Sequence, residues 1–220
     1  MRNLLPLIAF VAAAAASPAF AQGAVPADAI PDEPSELAKP ALPYPAIEVL
    51  NAFRDGCGSI ENQAAASASL TAAGWQKGEA FVPVQLVQFL TFARDAGGEA
   101  VAAQGGTMSE MEVFEKTVAD ERVFIVLSEV KIDGTRVSGC RLFDLGETRA
   151  IPAQTVTDWL GAEPVKSVNE DVINVHDWEP GLAPEHDSFQ LFFVPTDSPF
   201  KAMVKFDGIA FKADTVGVED

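Results

Sequence analysis

Two histidines and the acidic residues beside them are the side chains of this sequence that could support metal-dependent chemistry. His176 and His186 are the only histidines, and Asp177, Glu185 and Asp187 are their neighbours. Imidazole and carboxylate groups are ligands that zinc and other divalent ions accept. The spacing matches no standard metal motif, so the simpler interpretation is an exposed strand histidine and an exposed loop histidine. A metal-dependent or other hydrolase that uses His176, His186 and Asp177 is the alternative hypothesis.

The sequence carries none of the short motifs that identify common catalytic sites. It has no Gly-x-Ser-x-Gly elbow, no phosphate-binding glycine loop and no His-Glu-x-x-His. Its 32 acidic residues provide so many possible carboxylate pairs that no pair stands out. The sequence therefore favours a non-catalytic binding or interaction module, and it gives no reason to expect a cofactor.

Three aromatic residues are the candidates for ligand contact. Trp178 ends a predicted strand at a turn, where it would serve as a stacking platform for a sugar or peptide, or as a lid at the edge of the core. Phe89 and Phe92 lie on a predicted helix that is apolar around much of its circumference. A small apolar ligand or a protein of the cell envelope is the partner that such a surface suggests.

The first 21 residues indicate where the protein works. A positive residue, an apolar run and the small residues Ala19 and Ala21 follow one another in the order of a secretory leader cleaved after Ala21. We therefore expect a periplasmic or secreted protein that begins at Gln22. Because that environment is oxidising, the two cysteines, Cys57 and Cys140, are predicted to form one disulfide.

The charge of the chain argues against anionic partners. With 15 basic and 32 acidic residues, the formal net charge is −17. Such a protein repels the phosphates of nucleic acid and the headgroups of anionic lipids. After the leader, no apolar run reaches the length of about 18 residues that a membrane-spanning helix requires.

The chain divides into a linker and one folded domain. Residues 22–45 contain six prolines, which remove backbone donors and prevent helix continuation, so this stretch is predicted to be an extended linker. Tyr44, the only tyrosine, is expected to mark where the linker meets the domain. Residues 46–220 are predicted to form a single α+β domain.

Helices come first in this domain. A predicted helix that starts at Ala46 places Cys57 on its buried stripe. The next helix is predicted to be capped by Ser59 and closed by Gly74, with Trp75 folding back on Leu70. Two further predicted helices run from Pro83 to Gly97, before a glycine-containing loop, and over residues 152–160, closed by Gly161.

The remaining patterns predict a mostly antiparallel sheet. Residues 122–132 and 135–145 form a hairpin around Asp133-Gly134, in which Leu127 faces Cys140 on the core side. Asp207-Gly208 predicts a second hairpin between residues 201–206 and 209–213. Other predicted strands cover residues 111–118, 171–178 and 189–194. The predicted fold is therefore α+β, with N-terminal helices followed by a mostly antiparallel sheet with Asp-Gly hairpins and one short intervening helix.

Overall fold

The computed structural model describes residues 42–78 and 82–218 of the chain. The predicted leader and most of the predicted linker lie outside these residues. Within the described part, the backbone forms five helices, which are α1 Ala46–Cys57, α2 Gln63–Ala72, α3 Val84–Ala102, α4 Ala153–Leu160 and α5 Phe200–Val204.

One antiparallel sheet of nine strands forms the centre of the described residues. Its strands are β1 Gln76–Lys77, β2 Thr107–Met108, β3 Glu112–Val118, β4 Glu121–Ile132, β5 Thr135–Leu145, β6 Lys166–Glu170, β7 Ile173–Trp178, β8 Ser188–Val194 and β9 Gly208–Val218. Eight strands follow the spatial order β1-β3-β4-β5-β9-β8-β7-β6, and β2 pairs with β4. The predicted α+β class is confirmed.

The hairpin of β4 and β5 has the predicted register. Ile132 pairs with Thr135 across the Asp133-Gly134 turn, and counting back along the strands pairs Leu127 with Cys140. Both central residues of the turn have positive φ angles, as this tight turn requires. The local turn chemistry thus fixes which face of β5 carries Cys140.

The two faces of the sheet are covered by different helices, because successive side chains of a strand point to opposite faces. On one face, α1, α2 and α4 bury a first core that includes Phe53, Leu70, Ile125, Phe189 and Phe211. On the other face, α3 and α5 cover a second core made of Leu86, Phe89, Phe124, Val126, Phe143, Val194, Phe206 and Ala210. The sheet is therefore the middle layer of three.

The predicted disulfide is confirmed. Cys57 at the end of α1 is bonded to Cys140 of β5, with 6.0 Å between the Cα atoms. Both residues are fully buried in the first core. The bond ties the first helix to the centre of the sheet across 83 residues of sequence.

The end of α2 agrees with the sequence, but its start does not. Gly74 has a φ of 81°, and the Trp75 amide donates to the Leu70 carbonyl at 3.0 Å, as predicted. The predicted cap at Ser59 is wrong, because Asn62 accepts from the Ala65 amide at 2.9 Å and the helix begins one residue later. Asparagine and serine are comparable caps, so composition alone could not choose between them.

The third helix is longer than predicted. It continues through Gly97 and Gly98, which the sequence placed at its end and in a loop. A β-carbon at Gly97 would lie 3.7 Å from the sulfur of Met108, and one at Gly98 would lie 3.9 Å from the terminal methyl of that side chain. Both distances are ordinary van der Waals contacts, so the packing of this helix against β2 does not require glycine at either position.

The predicted second hairpin is wrong. Phe200–Val204 is the short helix α5, and β9 begins at Gly208. Phe200 and Val204 are four residues apart and both pack against the second core, which is helical spacing. Asp207 therefore lies between a helix and a strand and not in a turn between two strands. Its buried carboxylate accepts hydrogen bonds from Lys201 and Gln85.

Candidate functional site

His176 lies inside the protein rather than on its surface. It is 3 % exposed, its Nδ1 is 3.0 Å from the hydroxyl oxygen of Ser167, and its ring centroid is 6.0 Å from that of Trp178. Strand alternation had placed His176 on the face of Trp178, and that face meets the first core. Burial lowers the pKa of the imidazole. The prediction of an exposed strand histidine is wrong.

His186 is also buried, although it lies in the loop before β8. It is 2 % exposed, and neither ring nitrogen has a hydrogen-bond partner among the described residues. Burial lowers its pKa, against the opposing effects of the carboxylates of Glu185, Asp187 and Asp214. The prediction of an exposed loop histidine is therefore wrong as well.

The structure does not bring His176, His186 and Asp177 together as a metal site. Asp177 follows His176 in β7, so its side chain points to the opposite face of the sheet. There its carboxylate accepts a hydrogen bond from Gln190 at 3.1 Å. In the described part of the chain, the one group of three potential ligand side chains within 4.8 Å of one another lies elsewhere, at the end of β5.

Of the three candidate aromatic residues, one is available at the surface. Trp178 is fully buried, with its ring centroid 5.7 Å from that of Phe189, so it offers no stacking platform. Phe89 lies in the second core, 5.0 Å from the ring of Phe143. Phe92 is 41 % exposed on α3. Whether α3 carries a binding surface therefore depends on the residues around Phe92.

The outward side of α3 carries two further exposed apolar residues. Val84 is 73 % exposed and Val87 is 49 % exposed. At about 100° per residue, Val84 lies opposite the buried Leu86, and Val87 and Phe92 lie on either side of Val84. We call Val84, Val87 and Phe92 the outer α3 face. Of these three residues, only Phe92 was predicted from the sequence, because the pattern of an apolar helix does not show which of its sides faces the sheet.

The start of α3 is fixed to the sheet by polar contacts as well as by its core residues. The side-chain amide of Gln85 donates to the Asp207 carboxylate, to which Lys201 also donates at 3.0 Å. Lys201 belongs to α5, so the two helices of this layer meet at Asp207. Met203 of α5 adds one more exposed apolar side chain to the same layer. The outer α3 face is thus presented on a rigid element.

A second cluster, which the sequence did not predict, holds charged residues at the end of β5. Carboxylate oxygens of Glu121, Asp144 and Glu147 lie within 4.8 Å of one another. Arg149 supplies their positive charge, since it donates to Glu121 at 2.6 Å and also to Glu147. The Tyr44 hydroxyl donates to Asp144 at 2.8 Å. The expectation that Tyr44 marks the docking point of the linker agrees with this contact.

The acidic groups of this cluster differ in their affinity for protons. Burial, together with the negative charges of Glu121 and Glu147, raises the pKa of Asp144 to about 6, whereas the hydrogen bond from Tyr44 and the charge of Arg149 act against this rise. Hydrogen bonding by Arg149 instead lowers the pKa of Glu147. The pKa of Asp144 is therefore shifted toward neutral pH, whereas that of Glu147 is shifted away from it.

A shallow polar cavity of about 260 Å³ lies beside β1 and β3, lined by Gly74, Gln76, Glu115, Lys116, Thr117 and Arg122. Both of its cations are engaged, because Lys116 donates to the Ala73 carbonyl at 2.8 Å and Arg122 pairs with Glu115 at 2.7 Å. These contacts explain the two basic side chains as structural ones.

No protein-family model, curated protein sequence or solved structure matches this chain. Among the described helices, none is both long and apolar enough to span a membrane.

Proposed function

We propose that this protein is a periplasmic or secreted, non-catalytic binding module that docks a partner protein on the outer α3 face. The observation that carries the proposal is the exposure of Val84, Val87 and Phe92 on one side of a helix whose other side is buried. Exposed apolar side chains on an anchored helix, interspersed here with the exposed polar residues Gln88 and Thr91, resemble the mixture of apolar and polar groups found at non-obligate interfaces.

The rigidity of α3 favours binding because little conformational entropy is lost when a partner docks. Leu86 and Phe89 anchor the helix in the second core, and Gln85 holds its first turn to Asp207. Phe92 is the natural anchor residue, since aromatic side chains contribute strongly to protein interfaces. The two valines would then form the apolar area around it.

The charge of the chain indicates the chemistry of the partner. The formal net charge of −17 repels anionic lipid surfaces, so a protein is a better occupant than a membrane. Beyond the outer α3 face, the helix carries Arg94 and Asp95, which pair at 3.1 Å, and Glu99. We expect the partner to present an apolar patch bordered by basic residues, because opposite charge at the rim speeds association.

The proposed compartment follows from two observations. The first 21 residues have the composition of a secretory leader. The Cys57–Cys140 bond suits an oxidising environment outside the cytoplasm. An envelope protein is therefore the partner class that we favour over a free apolar ligand.

Site-specific photo-crosslinking in intact cells tests this function. A photoreactive residue at Val87 should give a covalent adduct with one partner protein. The matched control is Val165, another exposed valine, which lies just before β6 and is 58 % exposed. In the same cells, Phe92→Ser should weaken binding at least about tenfold, as expected for loss of an aromatic anchor, and so reduce the adduct.

The outcomes of this experiment are distinct. An adduct of twice the mass of the chain would show that the outer α3 face binds a second copy, and would overturn a heterologous partner. Equal adducts at Val87 and Val165, or an adduct insensitive to Phe92→Ser, would show non-specific contact and contradict the proposal. No protein adduct at Val87 would contradict it too.

A further inference from the structure

Strand β6 forms one edge of the sheet. It pairs with β7 on its inner side, and no strand among the described residues pairs with its outer side. Its residues are exposed except for Val168, which is half-buried. The unpaired backbone donors and acceptors of such an edge can bind another strand. The side chains and the free backbone groups of β6 therefore indicate which strand that is.

The backbone groups of β6 that face outward follow from its hairpin with β7. The turn consists of residues 171–172, so the flanking Glu170 and Ile173 are a hydrogen-bonded pair. Bonded and non-bonded pairs alternate along an antiparallel ladder, which directs the backbone groups of every second residue of β6 to β7. The amides and carbonyls of Ser167 and Asn169 are therefore directed away from the sheet.

The two charged residues of β6 lie symmetrically about its centre. Lys166 is two residues before Val168 and Glu170 is two residues after it, so all three side chains are on one face of the strand. Lys166 and Glu170 are both exposed. Edge strands commonly carry charge that keeps another strand away. Here the two charges are opposite, so an antiparallel copy of the same strand would place each of them beside its opposite.

We infer that β6 is a dimerisation edge, at which a second copy of this chain pairs antiparallel to β6 with the partner's Val168 opposite Val168. In this register Ser167 lies opposite the partner's Asn169, so each outward donor of these residues meets an outward acceptor. Lys166 and the partner's Glu170 then face each other, and the two-fold symmetry repeats this contact. These are non-hydrogen-bonded pairs, in which opposing side chains approach most closely.

The pairing is closed and weak. A two-fold contact uses the same strand of both copies, so it ends at a dimer instead of extending into a fibre. A strand of five residues provides few contacts, and the formal net charge of −17 on each chain opposes association. We therefore expect a dimer whose population rises with protein concentration. Val165 and the outer α3 face lie outside the paired residues, so the inference does not rest on the proposed function.

Sedimentation velocity of the mature protein, from micromolar to millimolar concentration, tests the pairing. The wild type should change from monomer to dimer over this range. Lys166→Glu places two glutamates opposite each other at both ends of the pairing, and Glu170→Lys does the same with two lysines. Either variant should raise the Kd of the dimer at least about tenfold, because two attractive cross-strand pairs become repulsive. An equal mixture of the two variants should regain the dimer, since each glutamate then faces a lysine.

Lys205→Glu is the matched control. It changes the net charge by as much as Lys166→Glu does, at an exposed residue after α5, and should leave the dimer in place. A wild type that stays monomeric up to millimolar concentration would overturn the inference. So would a dimer that Lys166→Glu does not weaken, or a mixture of the two β6 variants that does not associate. If Phe92→Ser dissolves the dimer and Lys166→Glu does not, the second copy occupies the outer α3 face, which overturns both this inference and the heterologous partner.

Discussion

Replacing Asp144 with asparagine removes a buried titrating group but keeps the acceptor oxygen that Tyr44 uses. In the folded protein, burial raises the pKa of this carboxyl from 3.8 to about 6. A carboxyl whose pKa is raised by folding costs stability when it is ionised. That cost is fully present above pH 6, declines as the pH falls, and is absent below 3.8.

The magnitude follows from the same shift. A difference of about two pKa units corresponds to about 3 kcal/mol between the two pH limits. Between pH 7 and pH 5, linkage gives a gain of about 1.3 kcal/mol for the wild type relative to Asp144→Asn. Groups whose pKa values are lowered by folding have the opposite effect on the free energy of unfolding. Through His186 the folded protein loses stability as the pH falls below 6.5, and through Glu147 it loses stability below 4.5. The contribution of His186 is common to both proteins and cancels in the difference, whereas the contribution of Glu147 falls mainly below this pH interval.

Urea unfolding at pH 7 and pH 5 measures this difference. The free energy of unfolding of the wild type, minus that of Asp144→Asn, should increase on acidification by about 1.3 kcal/mol. The variant Asp171→Asn should follow the wild type at both pH values. If the wild type and Asp144→Asn change in parallel, Asp144 is not a buried titrating group and the reasoning about the cluster fails.

Three further predictions concern the chain as a whole. Intact-mass measurement of protein from the periplasmic fraction should show a chain beginning at Gln22, and a retained leader would refute the assigned cleavage. Thiol titration of denatured, unreduced protein should find no free thiol, and reducing the Cys57–Cys140 bond, which spans 83 residues, should lower stability by about 4–5 kcal/mol. Gly208→Ala should destabilise by at least about 2 kcal/mol, because Gly208 has a φ of 111° and a β-carbon there would collide with the Asp144 carbonyl. Unfolding equal to that of the wild type would contradict this close approach.

The features that the sequence predicted correctly are those determined by neighbouring residues. The Asp133-Gly134 turn sets the register of β4 and β5, and that register places Cys140 on the core face. Gly74 ends α2 for an equally local reason. The disulfide followed because two such local patterns each directed a cysteine inward.

The features that the sequence did not predict depend on contacts between distant segments. His176 was assigned to the correct strand face, but whether helices cover that face is decided by α1, α2 and α4. The cluster around Asp144 combines Tyr44, a residue of β4 and a loop residue more than 100 positions after the tyrosine. No spacing rule connects such residues. The exposed side of α3 was hidden for a similar reason, since both sides of the helix are apolar.

Thiol labelling at Val87 tests the proposed docking surface most directly, because it requires no knowledge of the partner. The native cysteines are bonded to each other, so Val87→Cys provides a unique free thiol on the outer α3 face, and Val165→Cys provides one at a comparably exposed valine. A hydrophilic maleimide should label both variants in purified protein. In the intact envelope it should label Val165→Cys at a similar rate but Val87→Cys at least about tenfold more slowly, because the partner covers α3. Equal labelling rates at the two positions in the envelope would contradict the proposed function.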